Sequence, residues 1–507
     1  MQSSTSAPEG QTRRVSARMS ISRANAGSKL RTAAAILILV GALGGCQQSS
    51  KSRSVPRLAL ASCAVSGGSQ ARCGILWVAE DPSAPDGRQI PLNVVVLPAK
   101  ASRPAADPLF YFEGGPGGAA TDEVAWAARH FSLFNQRHDI VLVDQRGTGA
   151  SNRVTCSTSV LSASADATQI EAGVQACLTS IKDRADPRFY TTPIAVDDVD
   201  QVRAALGYDK IDLYGVSYGV SSGLTYIQRH GSHVRAAVLD SGSLLDVHLY
   251  ELMPRSAQEA LASLFVRCES SATCAAAYPA LRADFAAVTA NLARAPITST
   301  VVDRATGNAI RMDLPAFMGL LIDTYLKVAP GSVSFPKDIH AAAGGDWTAL
   351  LKVFAGDHSA TTSIPIMAIT IRCSDAWASQ DPSKVAATLP KSPVTPDDVS
   401  QATGMNAVCQ YWPHAVGASG AVKSSAPIVF LNGVTDPVDP PSNVANAQAH
   451  MPNSLVVSVA GIGHWQLDFD PTGCLTDATN SFLDRGLTSS PTAWSCAQAL
   501  PLPEFAG

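Results

Sequence analysis

The stretch "KIDLYGVSYGVSSGLTYIQRHG", residues 210–231, joins a strand pattern to a helix pattern through a glycine-flanked serine. Residues 210–217 form a short, largely apolar run that predicts a buried strand, and the residues after them predict a helix. Ser217 lies at the junction in the pattern G-x-S-x-G, with Gly215 and Gly219 on either side. A sharp strand-to-helix turn strains its apex residue and exposes that side chain, and it needs glycine where larger residues would collide. The segment therefore predicts a nucleophilic serine at the edge of a sheet.

The segments on both sides of this junction alternate between strand and helix patterns. Short apolar runs predict strands at 74–80, 90–99, 108–114, 139–147, 234–242, 426–433 and 454–461. The first two resemble a hairpin, and the later runs that end in glycine suit a mostly parallel sheet buried on both faces. Helix patterns occupy 195–207, with Asp197 and Asp198 expected in the first turn, and 474–486. The alternation predicts the α/β class.

Between the strand patterns at 234–242 and 426–433 the sequence is mainly helical. We therefore expect a helical cap, residues 243–422, inserted between two parts of one core, residues 57–242 and 423–507. The net charge of −4 and the lack of a long basic run give no reason to expect nucleic acid as a partner. No cysteine–histidine cluster has zinc spacing and no phosphate-binding loop is present, so we expect neither a metal nor an organic cofactor.

The N-terminal residues read as an export signal. An apolar run at 33–45 follows basic residues and is too short for a comfortable membrane span, as in a signal-peptide core. It ends in Leu43-Gly44-Gly45-Cys46, which resembles the bacterial lipobox. This resemblance implies a signal peptide over 1–45, lipid attachment at Cys46 and a polar tether over 46–56. An ordinary secretory signal with a chance cysteine is the alternative. Both interpretations predict an exported protein, facing the periplasm or the exterior, and the first anchors it to a bacterial membrane.

Ten cysteines remain besides Cys46, an even number that suggests five disulfides in an oxidising compartment. Connectivity does not follow from sequence alone. Pairing of sequence neighbours gives 63–73, 156–177, 268–274, 373–409 and 474–496.

A serine nucleophile needs a base, and the base needs an acid that orients it. His464 follows the last predicted strand on a glycine-rich loop, "GIGHW". The turn "NGVTDPVDP", residues 432–440, offers Asp436 and Asp439, and we prefer Asp436 because the strand leads straight into it. The chain order serine, acid, histidine matches a known hydrolase arrangement.

Donors for an oxyanion are also needed. One is expected from the backbone N–H of Tyr218, directly after Ser217. The other is expected from the loop "EGGPGG", residues 113–118, at Gly115, with Gly114 as the second choice.

Several of these motifs together resemble one family. "EGGPGG", "DQRGTGAS" (144–151), "GVSYG", "NGVTDPVDPP" and "GIGH" occur in the order found in the prolyl iminopeptidase and tripeptidyl aminopeptidase family of α/β-hydrolases. The resemblance covers about residues 70–240 and 425–500. It implies the α/β-hydrolase fold, with Ser217 as nucleophile, Asp436 as acid and His464 as base. It also implies a loop-holding role for Asp144 and Arg146. The family usually carries Thr where Asp439 stands and often His or Leu where Glu113 stands.

The resemblance implies an aminopeptidase that acts on peptides with a free N-terminus. In this family cap carboxylates bind the substrate's amino group, and Glu251, Glu259 and Glu269 are candidates among which the sequence does not choose. An esterase or amidase with the same machinery and a non-catalytic ligand-binding lipoprotein are the alternatives. The sequence leaves open which residues are released and in what oligomeric state the protein works.

Overall fold

A computed structural model of the protein describes residues 57–157, 166–302, 309–357, 363–388, 395–461, 463–485 and 491–506. The predicted signal peptide, Cys46 and the tether lie outside the described residues. The residues that follow the tether pack as one compact unit.

Thirteen strands occur in the described ranges. In chain order they are β1 (Ala61–Ala64), β2 (Gln70–Ala79), β3 (Gln89–Leu97), β4 (Leu109–Phe112), β5 (Ile140–Val143), β6 (Thr155–Ser157), β7 (Ile211–Val216), β8 (Val234–Asp240), β9 (Ile297–Val302), β10 (Ala309–Met312), β11 (Ser363–Pro365), β12 (Ile428–Gly433) and β13 (Ser454–Val459). Each apolar run predicted as a strand overlaps one of them.

Nine of these strands form the central sheet, in the order β1-β2-β3-β5-β4-β7-β8-β12-β13. The strands β1, β2, β3 and β5 pair antiparallel, and every pair from β5 to β13 is parallel. The predicted mostly parallel sheet, with a hairpin from β2 and β3, is confirmed. In this order β7 lies near the middle of the sheet, with β8, β12 and β13 to one side. The carboxyl ends of these parallel strands therefore meet at one edge.

Fourteen α-helices complete the described part of the chain. They are α1 (Val124–His130), α2 (Ala167–Ile181), α3 (Thr192–Leu206), α4 (Tyr218–His230), α5 (Leu249–Ser270), α6 (Ala272–Ala277), α7 (Leu281–Arg294), α8 (Leu314–Leu320), α9 (Ala329–Ala343), α10 (Thr348–Asp357), α11 (Ile366–Ser374), α12 (Pro382–Thr388), α13 (Thr395–Tyr411) and α14 (Cys474–Arg485). A π-helical segment, Leu321–Leu326, continues α8.

The helix α3 begins earlier than the sequence pattern predicts. It starts at Thr192 with Pro193 in its first turn, where the missing N–H of proline costs nothing. Asp197 and Asp198 therefore lie in the second turn rather than the first, and that expectation is wrong. The predicted end is right, since Gly207 ends the helix with φ of 84°.

The central sheet is buried on both faces. Alternate residues of β3 point to opposite sides, so Val94 and Val96 join one apolar cluster while Val95 and Leu97 join another. A third cluster, built around Phe285, lies among the helices between β8 and β12. Helices α5–α13 make this segment mainly helical, as expected. Its boundaries at 243 and 422 stay a prediction, because the insertion packs with the sheet in one unit.

All five disulfides join the sequence neighbours that we expected, Cys63–Cys73, Cys156–Cys177, Cys268–Cys274, Cys373–Cys409 and Cys474–Cys496. Such bonds persist in oxidising compartments, and they fit an exported protein. Among the described helices, none combines the length and the apolar character that crossing a membrane requires.

Candidate active site

Ser217 occupies the turn between β7 and α4. Its backbone has φ of 56° and ψ of −122°, a conformation that a residue with a side chain rarely adopts. Such strain persists only where the surroundings impose it, and it clusters at functional sites. The N–H of Ser217 donates to the carbonyl of Asp240 at the end of β8, which fixes the turn to the neighbouring strand.

The two flanking glycines are required by close backbone approach. A Cβ on Gly215 would lie 2.3 Å from the carbonyl oxygen of Gly219. A Cβ on Gly219 would lie 2.1 Å from the carbonyl oxygen of Phe112 in β4. Neither contact is tolerable, so the G-x-S-x-G spacing follows from the packing of α4 against two strands.

Asp436 and His464 meet across the ends of β12 and β13. The His464 Nδ1 atom lies 2.7 Å from Oδ2 of Asp436, and a carboxylate can only accept, so Nδ1 carries the proton. The other oxygen of Asp436 accepts the backbone N–H groups of Val438 and Asp439 at 2.8 and 2.9 Å. Asp436 and His464 are 1 % and 2 % exposed. The ring is thereby oriented with Nε2 as its free, basic nitrogen.

Asp439 forms no hydrogen bond with the imidazole ring among the described contacts. Its Oδ1 accepts the hydroxyl of Ser243 at 2.5 Å, and Ser243 in turn accepts the amide of Asn443 at 2.9 Å. The choice of Asp436 over Asp439 as the partner of His464 agrees with this geometry. Burial raises the pKa of Asp439 to about 7, and the nearby charge of Asp436 adds to the rise.

The pKa of His464 has opposing causes. Burial lowers it, but the charge of Asp436 and the hydrogen bond to that carboxylate raise it, and the charge of Asp439 adds to the rise. The net pKa lies above the ordinary value of histidine. His464 therefore readily holds a proton that it has accepted, as a general base must.

The loop that carries His464 is held from both sides of the molecule. From the sheet, Ser241 accepts the N–H of Trp465, and Asp240 accepts the N–H of Gln466. From the helical insertion, the carbonyl of Lys327 accepts the N–H of His464 at 2.9 Å. A Cβ on Gly463 would lie 2.3 Å from the carbonyl oxygen of Leu326, so this glycine permits the close approach.

Ser217 and His464 line one cavity of about 220 Å³. No hydrogen bond joins the Ser217 hydroxyl to the His464 ring among the described contacts. Bonds of this kind are often long in unliganded enzymes and tighten when substrate binds. The structure thus brings the predicted serine, acid and base to one sheet edge, with the acid–base bond already formed.

The glycine loop after β4 lies directly against the turn at Ser217, which we call the nucleophile turn after the predicted role of this serine. A Cβ on Gly114 would lie 3.1 Å from Cβ of Ser217, and Gly115, with φ of 116°, lines the cavity. Tyr218 also lines it, and its N–H is the first of α4, which leaves it without an acceptor inside the helix. Both expected oxyanion donors therefore adjoin the cavity that contains Ser217.

Asp144 and Arg146 hold neighbouring segments together through side-chain hydrogen bonds. Asp144 accepts the N–H and hydroxyl of Thr121, and the Arg146 guanidinium forms two hydrogen bonds, of 2.7 and 2.9 Å, with Asp198. Neither lines the cavity.

The three glutamates considered as amine ligands do not line the cavity either. Glu251 pairs with Lys384, Glu269 pairs with Arg282 on an exposed face, and Glu259 is likewise absent from the cavity wall. Instead the insertion supplies Asp323, Lys327 and Arg372, along with Asp398. Their contribution was not evident from the sequence, because each lies within an ordinary helical pattern. Within the described ranges, no group of three His, Cys, Asp or Glu side chains is placed to hold a metal ion.

The nine-stranded sheet and the serine turn define an α/β-hydrolase fold, and residues 107–267 match the family model of the alpha/beta hydrolase fold. Residues 396–494 match a second family model, "TAP-like protein". Together the two matches support a TAP-like α/β-hydrolase, as the motifs implied.

Three curated proteins resemble parts of the chain. A tripeptidyl aminopeptidase from Streptomyces lividans is 32 % identical over 34 % of this chain and 35 % of its own length. The serine protease Hip1 from Mycobacterium tuberculosis is 26 % identical over 40 % of this chain and 42 % of its own. Carboxylesterase B from Mycobacterium tuberculosis is 32 % identical over 33 % of this chain and 29 % of its own. The chain thus matches about a third of the length of these relatives.

Proposed function

We propose that the protein is an exported serine hydrolase, most specifically an aminopeptidase that releases residues or short peptides from free N-termini. The observation that carries the proposal is the strained Ser217 in one cavity with His464, whose Nδ1 lies 2.7 Å from Asp436. The similarity to a tripeptidyl aminopeptidase and to a serine protease supports a peptidase among the hydrolases.

In the proposed reaction Ser217 is the nucleophile. As its Oγ attacks the scissile carbonyl, His464 Nε2 takes the hydroxyl proton, and Asp436 stabilises the imidazolium through Nδ1–H. The N–H groups of Tyr218 and Gly115 stabilise the oxyanion. His464 then gives its proton to the leaving amine, and an acyl-enzyme remains on Ser217. Water then attacks this ester as His464 takes one of its protons, and His464 returns that proton to Ser217 Oγ as the carboxylic acid is released.

Labelling with a fluorophosphonate probe tests the catalytic part of the proposal. We expect the wild type to be labelled and Ser217→Ala to remain unlabelled. Ser221→Ala is the matched control, since Ser221 lines the same cavity one turn further along α4 and should keep the label. An unlabelled wild type, or equal labelling of Ser217→Ala, would support the non-catalytic binding protein instead.

An esterase is the second candidate, because part of the chain resembles a carboxylesterase. The acyl-transfer groups would be the same, so the substrate panel decides. We expect faster cleavage of aminoacyl and tripeptidyl anilides than of their N-acetylated forms. Cleavage of simple esters alone, or equal cleavage of free and N-blocked peptides, would reject the aminopeptidase.

The proposed location rests on the five disulfides and on the leader with its lipobox-like end at Cys46. We propose that lipid on Cys46 anchors the protein to a bacterial membrane. Expression of the full chain in a bacterial host, followed by fractionation, should find it with membranes, and Cys46→Ala should release it or block its processing. Equal membrane association of both forms after cleavage of the leader would reject the lipid anchor.

A further inference from the structure

The cavity wall contains an arginine, Arg372, that forms no salt bridge within the described residues. Arg372 lies at the end of α11 and lines the cavity together with Ser217 and His464. Its guanidinium lies 5.8 Å from the ring centroid of Tyr250. Among the described residues it forms no hydrogen bond and no ion pair, and its Nε is buried without a partner. Burying a guanidinium nitrogen without a partner is costly, so a group of this kind calls for a partner, and a bound ligand can supply one.

The neighbouring charges do not serve this arginine. Lys327, the other cation of the cavity, lies 2.6 Å from Asp323 in a local pair. The Oδ1 atom of Asp439 accepts a hydrogen bond from the Ser243 hydroxyl. Among the described residues, no salt bridge joins Arg372 to Asp323, Asp398 or Asp439, the three carboxylates of the cavity wall, and its fork of donors remains available.

Contacts with residues of the first part of the core hold the helix that carries Arg372. The preceding strand β11 pairs with β6, and the N–H of Ile366 donates to Val154. Further along, Thr370 donates to the carbonyl of Pro187 and accepts the indole N–H of Trp412. Because α11 is held in this way, the guanidinium is oriented before any ligand arrives, which lowers the entropy that binding would cost.

A wall of aromatic rings connects Arg372 to the nucleophile turn. Tyr250 stacks on Trp377 at 6.2 Å, and Trp377 lies 6.2 Å from the ring of Tyr218. These three steps lead from the guanidinium through Tyr250 and Trp377 to Tyr218. The direct distance from the guanidinium to the Tyr218 ring is no longer than their sum, so it lies below ~20 Å. An extended peptide rises roughly 3.3 Å per residue, so about six residues span it.

These observations point to one inference, which rests on the proposed peptidase function. We infer that Arg372 is a specificity-determining residue that binds a carboxylate of the substrate, within about six residues of the scissile bond. A guanidinium matches a carboxylate with two parallel hydrogen bonds, and few other peptide groups offer that geometry. The carboxylate comes either from a Glu or Asp side chain or from the C-terminus of a short peptide.

Two substrate series distinguish these sources. The first consists of tripeptidyl anilides with Glu or Gln at each position in turn. The second consists of peptides of up to six residues with a free or an amidated C-terminus. We expect the wild type to prefer the carboxylate form in one series by about 10- to 100-fold in kcat/KM, mainly through KM.

The variant Arg372→Gln should abolish that preference while it changes kcat/KM for the neutral substrates by less than about threefold. Arg372→Lys should keep part of it, because it retains the charge but loses the fork. The matched control is Arg311→Gln, at an exposed arginine on β10 outside the cavity, and it should behave as wild type. Unchanged fluorophosphonate labelling shows that each variant is folded.

The inference is overturned if the wild type prefers neither carboxylate series, or if Arg372→Gln keeps the preference, while neutral peptides are cleaved. That result would leave the proposed peptidase intact. If no peptide of either series is cleaved by the wild type, the peptidase proposal itself fails, and the inference fails with it.

Discussion

The two sides of the cavity differ in how completely their polar groups are satisfied. On the sheet side, Asp436 accepts three hydrogen bonds and fixes His464, and both are almost fully buried. On the side of the insertion, Arg372 is half-buried and has no hydrogen-bonding partner among the described residues. A satisfied network holds one geometry, whereas an unsatisfied group is ready for a ligand. The comparison suggests that substitutions on the sheet side change turnover and those on the other side change substrate choice.

The largest expected effect comes from the acid of the sheet side. Asp436→Asn removes the charge that stabilises the imidazolium and can hold the wrong tautomer, so we expect kcat to fall by about 10⁴-fold. Steady-state kinetics on a peptide anilide measures this. Asp439→Asn is the matched control, and it should retain kcat within about tenfold at neutral pH. Equal losses in both variants would contradict the distinct roles of the two carboxylates.

The loss of a buried ion pair can be compared with the loss of an exposed one through the free energy of unfolding. Arg146 and Asp198 are 1 % and 2 % exposed, and Asp198→Ala leaves a buried guanidinium without its partner. We expect the free energy of unfolding to fall by about 3–5 kcal/mol, measured by urea denaturation.

The matched control is Glu269→Ala in the insertion. Its pair with Arg282 is about half exposed at both side chains, and its loss should cost roughly 0–1 kcal/mol. If both variants lose similar free energy of unfolding, the buried pair contributes no more to stability than the exposed one.

The nucleophile turn offers a test of backbone packing. Gly219→Ala would force a Cβ against the carbonyl oxygen of Phe112, so we expect a loss of about 1–3 kcal/mol in unfolding free energy, with a displaced Ser217. Reduced fluorophosphonate labelling would report the displacement. Gly231→Ala, at a glycine with open space around it, should affect neither measurement. Full labelling of Gly219→Ala would mean that the turn adapts.

The smallest effect concerns pH. His464 acts as a base only when neutral, so activity rises with pH through its raised pKa. Asp439, with a pKa of about 7, gains charge over neutral pH and helps hold that pKa up. Asp439→Asn removes the charge, so the acidic limb of kcat/KM against pH should move to lower pH. Movement to higher pH, or no movement, would show that Asp439 does not act on His464 through its charge.

The sequence was informative wherever a local pattern sets local structure. The structure has Ser217 between a strand and a helix, and Asp436 and His464 on loops that follow strands, as expected, since each placement depends on a few neighbouring residues. The neighbour pairing of cysteines was also right, because the disulfides close short loops. The start of α3 was misplaced because its first turn, which contains Pro193, lies before the apolar pattern that predicted the helix.

The far wall of the cavity could not be predicted for a physical reason. Arg372 reaches the cavity through the pairing of β11 with β6, where Ile364 lies opposite Cys156. No periodicity within α11 reports a contact so distant in sequence. The same holds for Lys327, whose carbonyl meets His464 across the insertion.

That last hydrogen bond has a consequence for how such proteins can diversify. The carbonyl of Lys327 and the closely packed Gly463 couple the helical insertion to the backbone of His464, the proposed general base. Exchange of the whole helical insertion for that of a relative would therefore remove a hydrogen bond that holds the loop carrying His464. Chimeras that keep Leu326 and Lys327 from this chain should remain active with a new insertion, and chimeras that replace these two residues should not.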